Sequence, residues 1–248
     1  MAACAVSPLG RRQLAFFPDS QLAEMGVSAF NQMKAETKIS DARQTNAYVD
    51  CVAKTLTAVL TPAESQIRMW EVVVFASDQA NAFALPGGKI GVYTGLLKVA
   101  KTQDQLAAVI GHEIAHVLAR HANERVSNAY TAQTALTLVG ASGVASGELM
   151  ALLGMGTQVG ILLPFSRTQE SEADLIGLDV MARAGFDPRQ SVILWQNMNA
   201  ARTSGAPPEF LSTHPSDATR MAQLNGRMPH ATSLYDAARS AGRRPRCG

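Results

Sequence analysis

At 248 residues, 47% of them hydrophobic and 17% charged, the chain is long enough to bury a full core, and with neither an internal repeat nor a long linker it reads as one domain. The formal charge is +2, but Arg239, Arg243, Arg244 and Arg246 alone supply four positives, which leaves the remainder at −2 and does not indicate a basic nucleic-acid-binding body. Cys4, Cys51 and Cys247 have no CxxC spacing, which argues against a thiolate zinc site or a redox pair, although Cys51 and Cys247 could pair in an oxidising compartment.

The chain begins Met1-Ala2-Ala3-Cys4, without an apolar signal core, yet Ala-Ala-Cys resembles the end of a bacterial lipoprotein signal. Residues 1–19 are therefore expected to be a lead-in, with membrane attachment through a lipidated Cys4; an ordinary cytosolic N-terminus is the alternative. Leu22, Met25, Ala29, Phe30 and Met33 fall on one helical face across 20–36. Val49, Val52, Ala53, Leu56 and Leu60 do the same across 41–60, and Thr61-Pro62 ends that helix. Val72 to Phe75, Ala82 to Pro86 and Ile90 to Tyr93, with a Gly87-Gly88 turn, predict a small sheet containing a hairpin.

Thr102 with Gln105 three residues on is a capping-box pattern, after which Leu106, Val109, Ile110, Ile114, Val117 and Leu118 keep an apolar face through about Arg125. From Arg125 to Arg167 the only charge between the two arginines is Glu148, but scattered polar residues interrupt the run; it predicts a helical hairpin or cover, with a membrane-dipping segment as the alternative. A helix follows from Arg167 to Ala184, stopped by Gly185, and another begins at Asp187-Pro188 and ends before Pro207-Pro208. A short C-terminal helix is expected after His214-Pro215, and residues 237–248 form a basic tail.

Within the first long helix, His112-Glu113-Ile114-Ala115-His116 is an HExxH motif. A step of four residues turns a helix by only about 40°, so both imidazoles can grip one ion. Glu113 lies about 100° away, badly placed to share that direction but able to accept a proton from a water at the ion. A catalytic zinc site usually takes a third protein ligand and leaves one position open. His121, about 180° round from His112, faces away and is assigned a structural or surface role. Glu170 is the better candidate, because Asp174 stands one turn later and could accept the second N–H of a ligand histidine. Glu172, about 200° from Glu170, is expected to be solvated.

Three segments, Gly111 to His121, Ser166 to Gly177 and Asn81 to Leu97, resemble the HtpX, BepA and LoiP group of zinc metallopeptidases, and Gly10-Arg11-Arg12-Gln13-Leu14 is similar to the lead-in of its Oma-type members. The resemblance implies an α+β fold of gluzincin type over residues 20–236, mostly helical, with a small sheet beside the active-site helix. It implies one Zn2+ per chain on His112, His116 and Glu170, with Glu113 as base. His214 and Arg220 match a histidine and an arginine near the metal in similar proteins. His214 could then stabilise the oxyanion, as could Arg220, or His214 could fill the fourth zinc position and keep the enzyme latent. Asn81, Ala82, Phe83 and Ala84 would form the edge strand to which a peptide adds. The expected function is endoproteolysis of unfolded or misassembled proteins in the bacterial periplasm, with protein or peptide substrates as partners and no nucleic acid. A zinc-containing, chaperone-like scaffold with a latent site is the alternative.

Overall fold

The structure is a computed structural model that describes residues 4–138, 165–203, 209–214 and 218–248. An N-terminal antiparallel hairpin, β1 (Cys4–Val6) and β2 (Arg12–Leu14), precedes two amphipathic helices, α1 (Asp19–Glu36) and α2 (Arg43–Thr57). Three strands follow, β3 (Glu71–Phe75), β4 (Ala82–Leu85) and β5 (Lys89–Tyr93), in the order β3-β5-β4. β5 is central, parallel to β3 and antiparallel to β4, so β4 is an edge. Gly87 and Gly88, in the three-residue connection between β4 and β5, both have positive φ (84° and 74°), a backbone conformation that glycine adopts without a Cβ penalty and that explains the glycine pair.

The long helix α3 (Gln103–Leu118) runs through the middle of the molecule, with Leu106, Ile110 and Ile114 fully buried. Those three side chains alone contribute about 5–9 kcal/mol of hydrophobic burial. α2, β4, α5 (Arg167–Arg183) and α6 (Gln190–Thr203) surround it, while a short α7 (Glu209–Thr213) and a long α8 (Ala218–Ser240) complete the shell. This is the α+β architecture expected, helix-rich with a small sheet against α3.

Two expectations are corrected. The apolar pattern predicts one helix through Arg125, but Arg120 adopts a left-handed conformation (φ 57°), and the chain restarts as α4 (His121–Leu138). The C-terminal helix spans 23 residues and carries Pro229 in its interior, far longer than the short element expected. The tail is tied down: Cys51 and Cys247 form a disulfide with Cα atoms 5.5 Å apart, and Gln103 bonds both Pro245 O (3.0 Å) and Cys247 N–H (2.9 Å). The predicted hairpin or cover between Arg125 and Arg167 falls largely on residues 139–164, which lie outside the described residues, as do 206–208 and Pro215. Among the described residues no helix is long and apolar enough to cross a membrane.

Candidate metal centre

Two caps and one glycine contact set the geometry. Thr102 opens α3 by accepting the Gln105 N–H, and His112 and His116 follow one turn apart in its buried stretch. Ser166 opens α5 with a complete capping box: its hydroxyl accepts the Gln169 N–H while the Gln169 side chain accepts the Ser166 N–H. Glu170 therefore stands in the first turn of α5 and Asp174 in the next. The helices touch at Gly111 and Gly177, where a Cβ on residue 177 would lie 2.8 Å from both Gly111 C and His112 N. Only glycine permits that approach, and it brings the two motifs face to face.

His112, His116, Glu170 and His214 are all buried, and each offers one donor atom to a group whose members lie within 4.8 Å of one another. The Nε2 atoms of His112 and His116 are 3.0 Å apart, and the Glu170 oxygens lie 3.5 Å and 3.4 Å from them. His214 Nδ1 is 3.2 Å from His112 Nε2 and 2.9 Å from Glu170 Oε1. Donors about 2.0–2.1 Å from a tetrahedral ion stand about 3.3 Å from each other, so these separations fit a single cation. Asp174 accepts from His112 Nδ1 at 2.9 Å, so the Nε2 atom is the one that faces the other donors and would meet a cation.

Burial works against charging His112, but its bonds to Asp174 and Glu170 prevail and lift its pKa to about 9. Burial drives His116 well below the ordinary histidine value. Glu170 is held far below the carboxylate range because the surrounding histidines outweigh its desolvation, and Asp174 is lowered in the same way by Arg220 and His112. Glu113 goes the other way: desolvation raises it, and among the described residues its Oε1 has no hydrogen-bond partner. That carboxylate lies 3.4 Å from His214 Nε2 and receives a backbone hydrogen bond from Ala84 of β4. It is therefore placed between α3, the edge strand and the histidine cluster.

Arg220 is buried behind the two carboxylates. Its Nε and Nη2 donate to Asp174 at 2.6 and 2.8 Å, its Nη1 is 2.7 Å from Glu170 Oε2, and its guanidinium lies over Trp195. Phe165 stacks on His116 and Phe210 on His214, which fixes both ring planes. In β4, Phe83 points into an aromatic cluster with Phe30, Phe75 and Tyr93, while Asn81 accepts the Ala82 N–H. Ala84 lines a cavity of about 880 Å³ that reaches Leu22, Arg125, Phe165 and His116. His121, read from the helical wheel as structural or surface, is fully buried, with its Nδ1 2.8 Å from His116 Nδ1, and Glu172, read as solvated, is buried too.

A family model described as peptidase family M48 matches residues 36–228. The chain belongs to this family. Among M48 relatives, it is 40% identical over 188 residues to the mitochondrial metalloendopeptidase OMA1 of Schizosaccharomyces pombe, covering 75% of this chain and 54% of that one. It is 38% identical over 187 residues to the mitochondrial metalloendopeptidase OMA1 of Bos taurus, covering 71% and 35%. It is 32% identical over 217 residues to the beta-barrel assembly-enhancing protease of Escherichia coli K12, covering 84% and 44%. The chain thus spans about half or less of the length of these M48 proteins. Its helix-rich α+β architecture, with a buried histidine and carboxylate cluster between two helices, is of the gluzincin type.

Proposed function

We propose that this chain is a zinc-dependent endopeptidase that cleaves unfolded or misassembled proteins in envelope quality control, with one Zn2+ held by His112, His116 and Glu170. The observation that supports it most is the group of four buried donors at metal-like separations, with the Glu113 carboxylate beside it. When bound, zinc supplies a Lewis acid that polarises a peptide carbonyl and makes a nearby water acidic enough to ionise near neutral pH. Glu113 takes the proton from the attacking water and returns it to the leaving amine, a task suited to a carboxylate whose affinity for protons burial has raised. Asp174 orients His112 through Nδ1, and Arg220 holds Asp174 and Glu170 in place rather than reaching substrate. An extended peptide adds along β4 through backbone pairing, with Ala84 facing the cleft and Phe83 anchoring the strand from behind.

His214 carries two roles in this proposal. With Nδ1 at the fourth corner of the cluster it blocks the open position, which favours the second reading, a latent site in a scaffold-like protein. Rotated out, its ring is placed to hydrogen-bond the developing oxyanion. An extracytoplasmic location accords with the Cys51–Cys247 bridge, since disulfides persist in oxidising compartments.

Cleavage of casein, abolished by a chelator and restored by zinc, is the expected result. Glu113→Gln retains stoichiometric zinc but loses cleavage; a fully active Glu113→Gln variant refutes the assigned base. Peptide binding without any cleavage, unaffected by Glu113→Gln, selects the scaffold reading.

A further inference from the structure

The polar groups around His121 form a second network, which the proposed reaction does not use. His121 is fully buried, and its Nε2 lies 3.2 Å from Glu172 Oε2. An ionised carboxylate only accepts, so His121 Nε2 carries the proton. A neutral His121 then presents a lone pair at Nδ1, and the 2.8 Å contact to His116 Nδ1 requires His116 to donate. His116 is left with its Nε2 lone pair facing His112 Nε2 and Glu170. Asp174 imposes the same tautomer on His112, so both rings are committed by partners on their far sides.

Glu172 is in turn fixed by the N-terminal hairpin. Arg11 Nε donates to Glu172 Oε2 at 2.9 Å, and the Ser7 hydroxyl donates to Glu172 Oε1. The other end of the Arg11 guanidinium holds Glu124 of α4 in a fork, Nη1 to Oε1 at 2.5 Å and Nη2 to Oε2 at 2.7 Å. Gln13 donates to Ala119 O at 2.9 Å, at the point where α3 ends and the chain turns back. Four segments, the hairpin, the α3–α4 break, the start of α4 and the second turn of α5, thus converge on one imidazole.

We infer that the N-terminal hairpin is a positioning element for the metal, acting through Arg11, Glu172 and His121 to hold His116 in its metal-binding tautomer and orientation. The inference rests on the ligand assignment proposed above and extends it to residues that touch no ion. Outer partners of this kind change metal affinity by about 10–100-fold when removed.

The test is zinc affinity of the 248-residue chain by competition with a fluorescent chelator at a temperature far below melting, with folding checked by circular dichroism. His121→Leu is expected to weaken zinc by about 10–100-fold, and Arg11→Met by about 10-fold with His121 intact. His121→Gln, whose amide can accept from His116 and donate to Glu172, is expected to recover most of the loss. Cobalt substituted for zinc should show an altered visible spectrum in His121→Leu, a change that general destabilisation away from the site does not produce. If Arg11→Met does not fold, Ser7→Ala is read in its place, with a smaller but measurable loss. Wild-type affinity in both His121→Leu and the hairpin variant overturns the inference. A parent chain that takes up no zinc, or a His112→Ala variant that binds it normally, overturns the ligand assignment instead.

Discussion

Replacing Gly177 by alanine tests the proposed origin of the site most directly. The added Cβ would lie 2.8 Å from Gly111 C and His112 N and 2.9 Å from Gly111 O, all backbone atoms that cannot rotate away. Ordinary contact begins at 3.4 Å, so α3 and α5 must separate by about 0.6 Å at their crossing. Overpacking of this kind costs about 1–3 kcal/mol, and in a chain of this size each kcal/mol lowers Tm by about 2–4 °C. A fall of about 2–12 °C is expected. In the proposed ligand set His112 and His116 ride on α3 while Glu170 rides on α5, and ligation tolerates displacements of about 0.2 Å, so metal binding is expected to respond more sharply. Calorimetric melting with and without zinc should therefore show a lower Tm and a smaller zinc-induced rise, and zinc titration should show weaker binding. Gly226→Ala in α8 is the matched control: nothing lies within 4 Å of its Cβ, and helix propensity favours alanine by about 1 kcal/mol. A Gly177→Ala protein that melts with its parent and binds zinc equally well would show that the glycine contact does not set the distance between the ligands.

Further outcomes follow from the same structure. The Cys51–Cys247 bridge closes a loop of 196 residues, for which the chain-entropy relation gives about 5 kcal/mol, so reduction or a Cys51→Ser/Cys247→Ser double variant should lower the urea midpoint markedly. An unchanged midpoint would mean that the bridge adds nothing to the folded state. Glu124 has a lowered pKa because its bonds to Arg11 and Gln169 outweigh burial, and its contribution is present above the ordinary value near 4.5 and fades as pH falls through the lower folded value. Tm should accordingly drop below about pH 4.5, and Arg11→Ala should flatten that acid limb; a parallel pair of Tm curves would contradict this. Arg220→Leu leaves Asp174 and Glu170 buried without their cation, and should cost about 3–5 kcal/mol, measured by denaturant unfolding of the zinc-free protein.

The helix that carries the HExxH motif is legible in the sequence because it depends on local spacing. HExxH fixes two rings on one face whatever surrounds them, and the Thr102 cap, the Gly87-Gly88 turn and the strand runs are equally local. The α1 and α2 spans agree within three residues at each end for the same reason. The burial of Glu172 and the contact of His121 with His116 depend on neighbours and are not legible in the same way. A wheel angle of about 200° sends Glu172 away from Glu170, and it does point away, yet the hairpin covers that side of α5 from 161 residues earlier in the chain. His121 was projected on a straight helix, but Arg120 breaks it, and no periodicity announces a single left-handed residue. Gly111 and Gly177 sit inside the motifs that carry the family resemblance, where their role as a contact between backbones is invisible until both helices are in place.

Arg120 also shows where rigidity has been given up for placement. A left-handed arginine costs about 1–2 kcal/mol that a helix continuous from α3 into α4 would save. The break is followed at once by His121, whose Nδ1 lies 2.8 Å from His116 Nδ1. Screening this protein for heat resistance alone should thus favour changes that straighten the junction, and the hardiest survivors would be the poorest at keeping their metal.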